Sequence, residues 1–129
     1  MAFIETNGIT LLSTTAISDL SSETETTLYT VPAGYKCVLT EAWLETAGNV
    51  GAAGVITIGQ NGAETDFVGT TNLDNLDADE DIIIVKPVPS ATPSTNKIYA
   101  AGTVIKFDVA TAGNAVAGGC YLFGFLIAV

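Results

Sequence analysis

The densest concentration of groups able to do chemistry is an acidic run, Asp74, Asp77, Asp79, Glu80 and Asp81. Carboxylates at alternate positions offer the hard oxygen ligands that calcium takes. The spacing does not match an EF-hand: counting Asp77 as the first ligand, the sixth position is Ile82 rather than glycine and the twelfth is Val88 rather than glutamate. Asp77, Asp79 and Asp81 therefore stand as the metal candidates beside two plainer readings, an exposed acidic loop and a docking site for a basic partner.

Catalytic chemistry has little else to draw on. The chain has no histidine and no arginine, which removes Ser-His and Cys-His pairs and the usual group titrating near neutrality. Glu41, Glu45 and Asp108 fall in strand-like runs, where paired carboxylates can act as acid and base; a solvated strand face is the plainer account of them. Cys37 and Cys120 are too few and too far apart for a metal cluster, and read as buried thiols. The glycines at 48, 51 and 54 are followed by neither a lysine nor a helical pattern, so no phosphate-cradling loop is indicated. The expectation is a protein that is not an enzyme and carries no cofactor. Trp43, flanked by Glu41 and Glu45, is suited to a core, to a subunit interface or to stacking on a sugar ring. Phe67 and Tyr99 are further aromatic contacts for a carbohydrate-binding reading.

Fourteen carboxylates face four lysines, for a formal net charge of −10. Phosphate backbones and anionic membrane surfaces recruit lysine and arginine, so no nucleic-acid or membrane partner is expected. Residues 1–20 contain no basic residue, which argues against a secretory leader, and the longest apolar run, 121–129, is far short of a membrane helix.

These groups have to be positioned by strands. Runs rich in Val, Ile, Thr, Tyr and Phe recur at 9–12, 26–31, 36–46, 54–60, 66–70, 82–85, 96–100, 103–110 and 119–128, separated by glycine and polar clusters. Val31-Pro32-Ala33-Gly34 reads as a tight turn, Asn61-Gly62 and Gly113-Asn114 as hairpin or loop links, and Pro87, Pro89 and Pro93 mark a loop. The pattern predicts an all-β antiparallel sandwich of about eight strands with little or no helix. A boundary is expected after residue 25: 1–25 as an N-terminal arm or edge segment, 26–129 as the sandwich.

Alternation predicts which faces are wet. Ile105, Phe107 and Val109 share one face against Val104, Lys106 and Asp108, a half-buried strand. In 36–46, Val38, Ala42 and Leu44 fall on one face and Leu39 and Trp43 on the other. The last strand is apolar on both sides, with Tyr121, Phe123, Phe125 and Ile127 opposite Cys120, Leu122, Gly124 and Leu126. A two-layer sandwich buries few strands on both faces, so the surplus predicts a homo-oligomer. Leu39, Trp43, Tyr121, Phe123 and Phe125 are the interface candidates.

The stretch 26–40, TTLYTVPAGYKCVLT, resembles the opening of small β-sandwich virion proteins of tailed bacteriophages. Residues 100–109, AAGTVIKFDV, followed by Gly118-Gly119 and a hydrophobic final strand, are similar to the later half of those domains. The resemblance implies a jelly-roll-like sandwich and a head decoration or cement role, as a trimer or dimer with the trimer favoured, bound to the major capsid protein on the outside of the head after assembly in the host cytoplasm. A tail or fibre module that binds carbohydrate or a receptor is the alternative it allows. In 1–25 no family pattern is visible; as an arm, it would grip the shell, and deleting residues 1–19 would leave the sandwich folded.

Overall fold

Alternating apolar residues commit this chain to sheets, and the computed structural model, which describes residues 8–129, contains nine strands and no helix among them. They are β1 (Thr10–Ile17), β2 (Glu25–Thr30), β3 (Tyr35–Thr46), β4 (Val55–Gln60), β5 (Ala63–Asn72), β6 (Ile82–Val85), β7 (Ile98–Tyr99), β8 (Val104–Thr111) and β9 (Gly118–Ala128). One sheet runs β1-β9-β3-β6, with the two-residue β7 also beside β3; the other runs β2-β8-β4-β5. Every ladder is antiparallel. The pairs β1·β9, β2·β8, β3·β6 and β4·β5 nest about the β4–β5 hairpin, as if one long hairpin had been rolled into two layers. This is jelly-roll topology.

The turns follow from their residues. Pro32 presets the bend after β2, and Gly34 closes it at φ 82°, a left-handed conformation that a side chain would strain. Asn61-Gly62 joins β4 to β5 with Gly62 at φ 88°.

Between the sheets lies one core. From β8 come Ile105, Phe107 and Val109, from β9 Cys120 and Leu122, from β4 Ile56 and Ile58, and from β5 Phe67 and Val68. Gly124 lets β9 and β3 approach closely, since a Cβ there would lie 2.2 Å from the Val38 carbonyl oxygen. Cys37 pairs with Leu126 and Cys120 with Leu44, so the thiols occupy opposite ends of the β3–β9 ladder and are free. Burial pushes Cys37 up to about 11 and Cys120 up to about 12.

One feature departs from the alternation read in the sequence. A bulge between Leu39 and Glu41 shifts the β3 register by one residue. It turns Cys37 and Leu39 inward on one side and Ala42, Leu44 and Thr46 inward on the other, leaving Val38 outside. Leu39 is thus fully buried core, not a companion of Trp43. The expectation for the segment 1–25 is an arm or an edge segment. Residues 1–7 lie outside the described residues, but Thr10–Ile17 is the edge strand along β9, and Ile17 and Leu20 are buried in the core. Removing residues 1–19 would strip a paired strand from β9, so the expectation that the remainder folds unaltered is withdrawn.

Candidate interaction face

Strand register sets the outer face of the five-stranded sheet row by row. Tyr121 lies across from Trp43, and Trp43 from Ile84; Phe125 lies across from Val38, and Val38 from Ile98; Phe123 sits between Leu11 and Glu41. The inward neighbours of these residues, Cys120, Leu122, Ala42 and Leu44, are in the core, so the rows themselves face out. Tyr121, Phe123, Phe125 and Trp43 are half-buried, while Ile84 and Ile98 remain 57% and 62% exposed. The Trp43 and Phe123 rings meet at 4.8 Å between centroids, tilted by 43°. Large apolar side chains in a contiguous exposed sheet face mark a contact surface.

Its polar groups are held within the face. The Trp43 indole N–H donates to Glu41 Oε2 at 2.6 Å, and the Tyr121 hydroxyl donates to Glu45 Oε1 at 2.9 Å. The Glu45 carboxylate, by accepting that bond and by its charge, holds the Tyr121 phenol above its ordinary value. Glu41 and Glu45 therefore orient aromatic side chains, whereas Asp108 lies on the other sheet; the three carboxylates are not brought together as an acid and base. Lys36, exposed and paired in register with Ile127, occupies the end of β3 away from Glu45.

At the Glu45 end the face falls into a depression of about 430 Å³. Gly119, opposite Glu45 in the ladder, supplies no side chain to fill it; Thr14, Tyr121, Glu45, Asp79 and Glu80 form its walls. The acidic loop that provides Asp79 and Glu80 is fixed from below by Leu73 and Leu76, both buried. Bonds between Thr46 and the Glu80 and Asp81 backbones tie it to β3. Asp81 Oδ2 accepts from the backbone amides of Asp77 and Ala78, so this carboxylate closes the loop on itself. Asp77 and Asp79 are exposed, and among the described residues no group of three acidic or thiol ligands is placed to hold a metal.

Of the sequence candidates, the structure gathers Trp43, Tyr121, Phe123 and Phe125 on one surface and withdraws Leu39 into the core. Phe67 and Tyr99 are also core residues, 1% and 3% exposed, because β5 and β7 turn them inward. Sequence reasoning missed Asp66. Its buried carboxylate accepts from the Gln60 backbone and side-chain amides, from the Tyr99 hydroxyl at 2.8 Å and from Lys97 Nζ at 3.4 Å. Tyr99 belongs to one sheet and Asp66 to the other, so this network pins the layers together. Burial, with the Asp66 bond added, holds the Tyr99 phenol far above its ordinary value. An isolated aspartate at the head of a strand gives no sign of such a role.

The fold is that of an antiparallel jelly-roll sandwich whose distinguishing surface is an aromatic outer sheet. Over 95% of its length this chain is similar to a chain in the acidic stable capsid structure of Helicobacter pylori bacteriophage KHP30, covering 97% of that chain with a TM-score of 0.54 and 17% identity. At that identity the likeness establishes a shared fold. No family model matches the sequence, and no curated protein matches it.

Proposed function

We propose that this protein is a structural component of a phage virion, a decoration or cement protein that binds the major capsid protein on the outside of the head. The observation that carries the reading is the end-to-end likeness to a chain of a phage capsid structure: coverage of 95% and 97% means that the alignment takes in nearly all of both chains. Fold alone does not fix function, but the surface agrees with it. The conspicuous exposed feature is an apolar sheet face, suited to burying area against protein, and Glu41 and Glu45 are engaged in orienting aromatics while Asp81 closes a loop. Its mechanism on this reading is burial of surface, not chemistry, and its place is the virion, assembled in the host cytoplasm. Of the trimer and dimer that the resemblance implied, the charge pattern of the outer sheet favours a two-fold pair, developed below.

Co-sedimentation of the purified protein with undecorated heads of a phage that encodes it is the direct test. Saturable binding with a fixed number of copies per shell, and a raised temperature of head rupture, are expected. Absence from purified virions would overturn the proposal. Nothing in the structure favours the carbohydrate reading, since two of its three aromatic contacts are buried and the Trp43 N–H is taken by Glu41.

A further inference from the structure

The outer face of the five-stranded sheet is self-complementary, and we infer that it pairs two copies of this chain face to face about a two-fold axis. The inference needs no capsid and does not rest on the virion reading. Three observations converge on a second copy as the occupant. The first is area. The five strands of the sheet, 37 residues in all, at about 4.8 Å between strands and about 3.3 Å per residue give a face of roughly 600 Å² before side-chain relief, at the lower end of the ~600–1,000 Å² per partner of a standard stable interface. The second is charge. Across a protein of net charge −10, the strands of this face carry Lys36 against Glu41 and Glu45, and both carboxylates already accept a hydrogen bond from a neighbouring aromatic. Elsewhere two such acidic molecules would repel each other.

The third is symmetry. Lys36 stands at one end of β3, and Glu45, with Asp79 and Glu80, lines the depression at the other. Stacking two sheets with β3 over β3 in reversed direction, about an axis passing over the Leu39–Glu41 bulge, sets each Lys36 above the partner copy's acidic depression. The same operation exchanges the ends where β6 and β7 lie, since β6 pairs with Ala42 to Glu45 and β7 with Cys37 and Val38. It therefore sets exposed Ile84 over exposed Ile98, and the Tyr121–Trp43 row over the Phe125–Val38 row. An isologous contact requires this kind of patch, in which each position meets its complement and vice versa. A parallel stacking would place Lys36 on Lys36 and the depression on the depression.

Cross-linking with a zero-length carbodiimide, read by peptide mass spectrometry, tests the geometry on the unmodified protein. Within one chain Lys36 and Glu45 are nine residues apart on an extended strand, roughly 30 Å, so a bond between them arises only between copies. The expected result is a sedimentation mass twice the 13.2 kDa of the chain and a cross-link from Lys36 to Glu45, Asp79 or Glu80, present in mixed ¹⁴N/¹⁵N form. Lys36→Glu should weaken the pair by ~30-fold or more, and adding Glu45→Lys should restore most of it, which a misfolded variant would not do. A monomer at the highest soluble concentration overturns the inference. So does an oligomer whose cross-links map to other faces, or one unaffected by Lys36→Glu. A monomer whose shell binding is lost on Trp43→Ser would assign the face to the shell instead, and equally refute the pair.

Discussion

The two sheets of this sandwich share one core and differ on their outer faces. The β1-β9-β3-β6 sheet turns outward Trp43, Tyr121, Phe123, Phe125, Ile82 and Ile84. The β2-β8-β4-β5 sheet places Glu25, Thr27, Lys106 and Asp108 in its register outside the inward row of Ile105 and Phe107. There, carboxylates crowd one another: desolvation first, then the charge of Glu64 and of Asp108, raises Glu25, while backbone bonds at Gly62 and Glu64 lower Glu64. One face is built to lose water and the other to keep it. A domain standing alone has no need of this asymmetry, whereas a domain that buries one side and shows the other to solvent does.

The largest test of that division uses neighbours on β9. Leu122 faces the core at 0% exposure and Phe123 faces out. Leu122→Ala should cost about 2–5 kcal/mol of unfolding free energy. Phe123→Ala, made at concentrations where any pair is dissociated, should cost about 1–2 kcal/mol, the partial burial of one ring plus its contact with Trp43. Urea titrations of both variants measure the difference. Equal losses would mean that the outer face is as much core as the inner one, and the comparison would collapse.

Next in size is Asp66, which joins the two sheets from within. Asp66→Ala leaves the Tyr99 hydroxyl and the Gln60 amide without their partner in a buried setting, a cost of about 2 kcal/mol. Tyr99→Phe removes the donor instead and should cost less, because Gln60 and Lys97 still serve the carboxylate. If the order of the two variants were reversed on denaturant unfolding, the carboxylate would not be the hub of the network.

Much of this architecture is visible in the sequence because turn residues and period-2 runs are local signals. The strand at 104–111 was legible down to which side chains face in, since its alternation is unbroken, and the final strand was legible as two apolar faces, of which Cys120, Leu122 and Gly124 turn in. The β3 strand was not. A bulge inserts one residue without any composition cue, so the parity read from Ala42 and Leu44 placed Val38 inside and Leu39 outside, the reverse of their positions. The aromatic row of the interaction face was legible for β9 and for Trp43, but its completion by Ile84, Ile98 and Leu11 depends on long-range register. Asp66 was illegible for a similar reason: its donors come from residues 31 and 33 positions away as well as from the adjoining hairpin.

Alkaline pH probes the shared core. Both thiols are raised by burial from an ordinary value of 9, to about 11 for Cys37 and about 12 for Cys120. A group whose folded value is raised contributes stability that is fully present below the unfolded value and is lost as pH rises through the folded one. The urea midpoint should thus begin to fall near pH 9 and keep falling towards pH 12. Between pH 9 and 10, before the tyrosines contribute, the Cys37→Ala/Cys120→Ala variant should show a flatter profile than the parent, although its overall stability is lower. An identical slope would place the titrating groups elsewhere.

The smallest effect belongs to the wet face and has the opposite sign at neutral pH. Asp108 is raised by desolvation first and then by the charges of Glu64 and Glu23. Being raised, its contribution is favourable below the ordinary value near 3.8 and is lost as pH climbs through the folded value, so the ionised carboxylate is a net cost at pH 7. Asp108→Asn removes that cost and should stabilise the protein there by ~0.5 kcal/mol or less, because solvent screens a charge that is only partly covered. The gain should shrink as pH falls and vanish near pH 3, where the parent's carboxyl is itself neutral. Glu64→Gln, on the same face, should do the reverse and weaken the fold at pH 7, since its charged form is the one that the Gly62 amide holds. Thermal melts of the two variants at pH 3 and pH 7 separate a face tuned for hydration from one whose carboxylates are merely tolerated: the first gives opposite signs at pH 7, the second gives none.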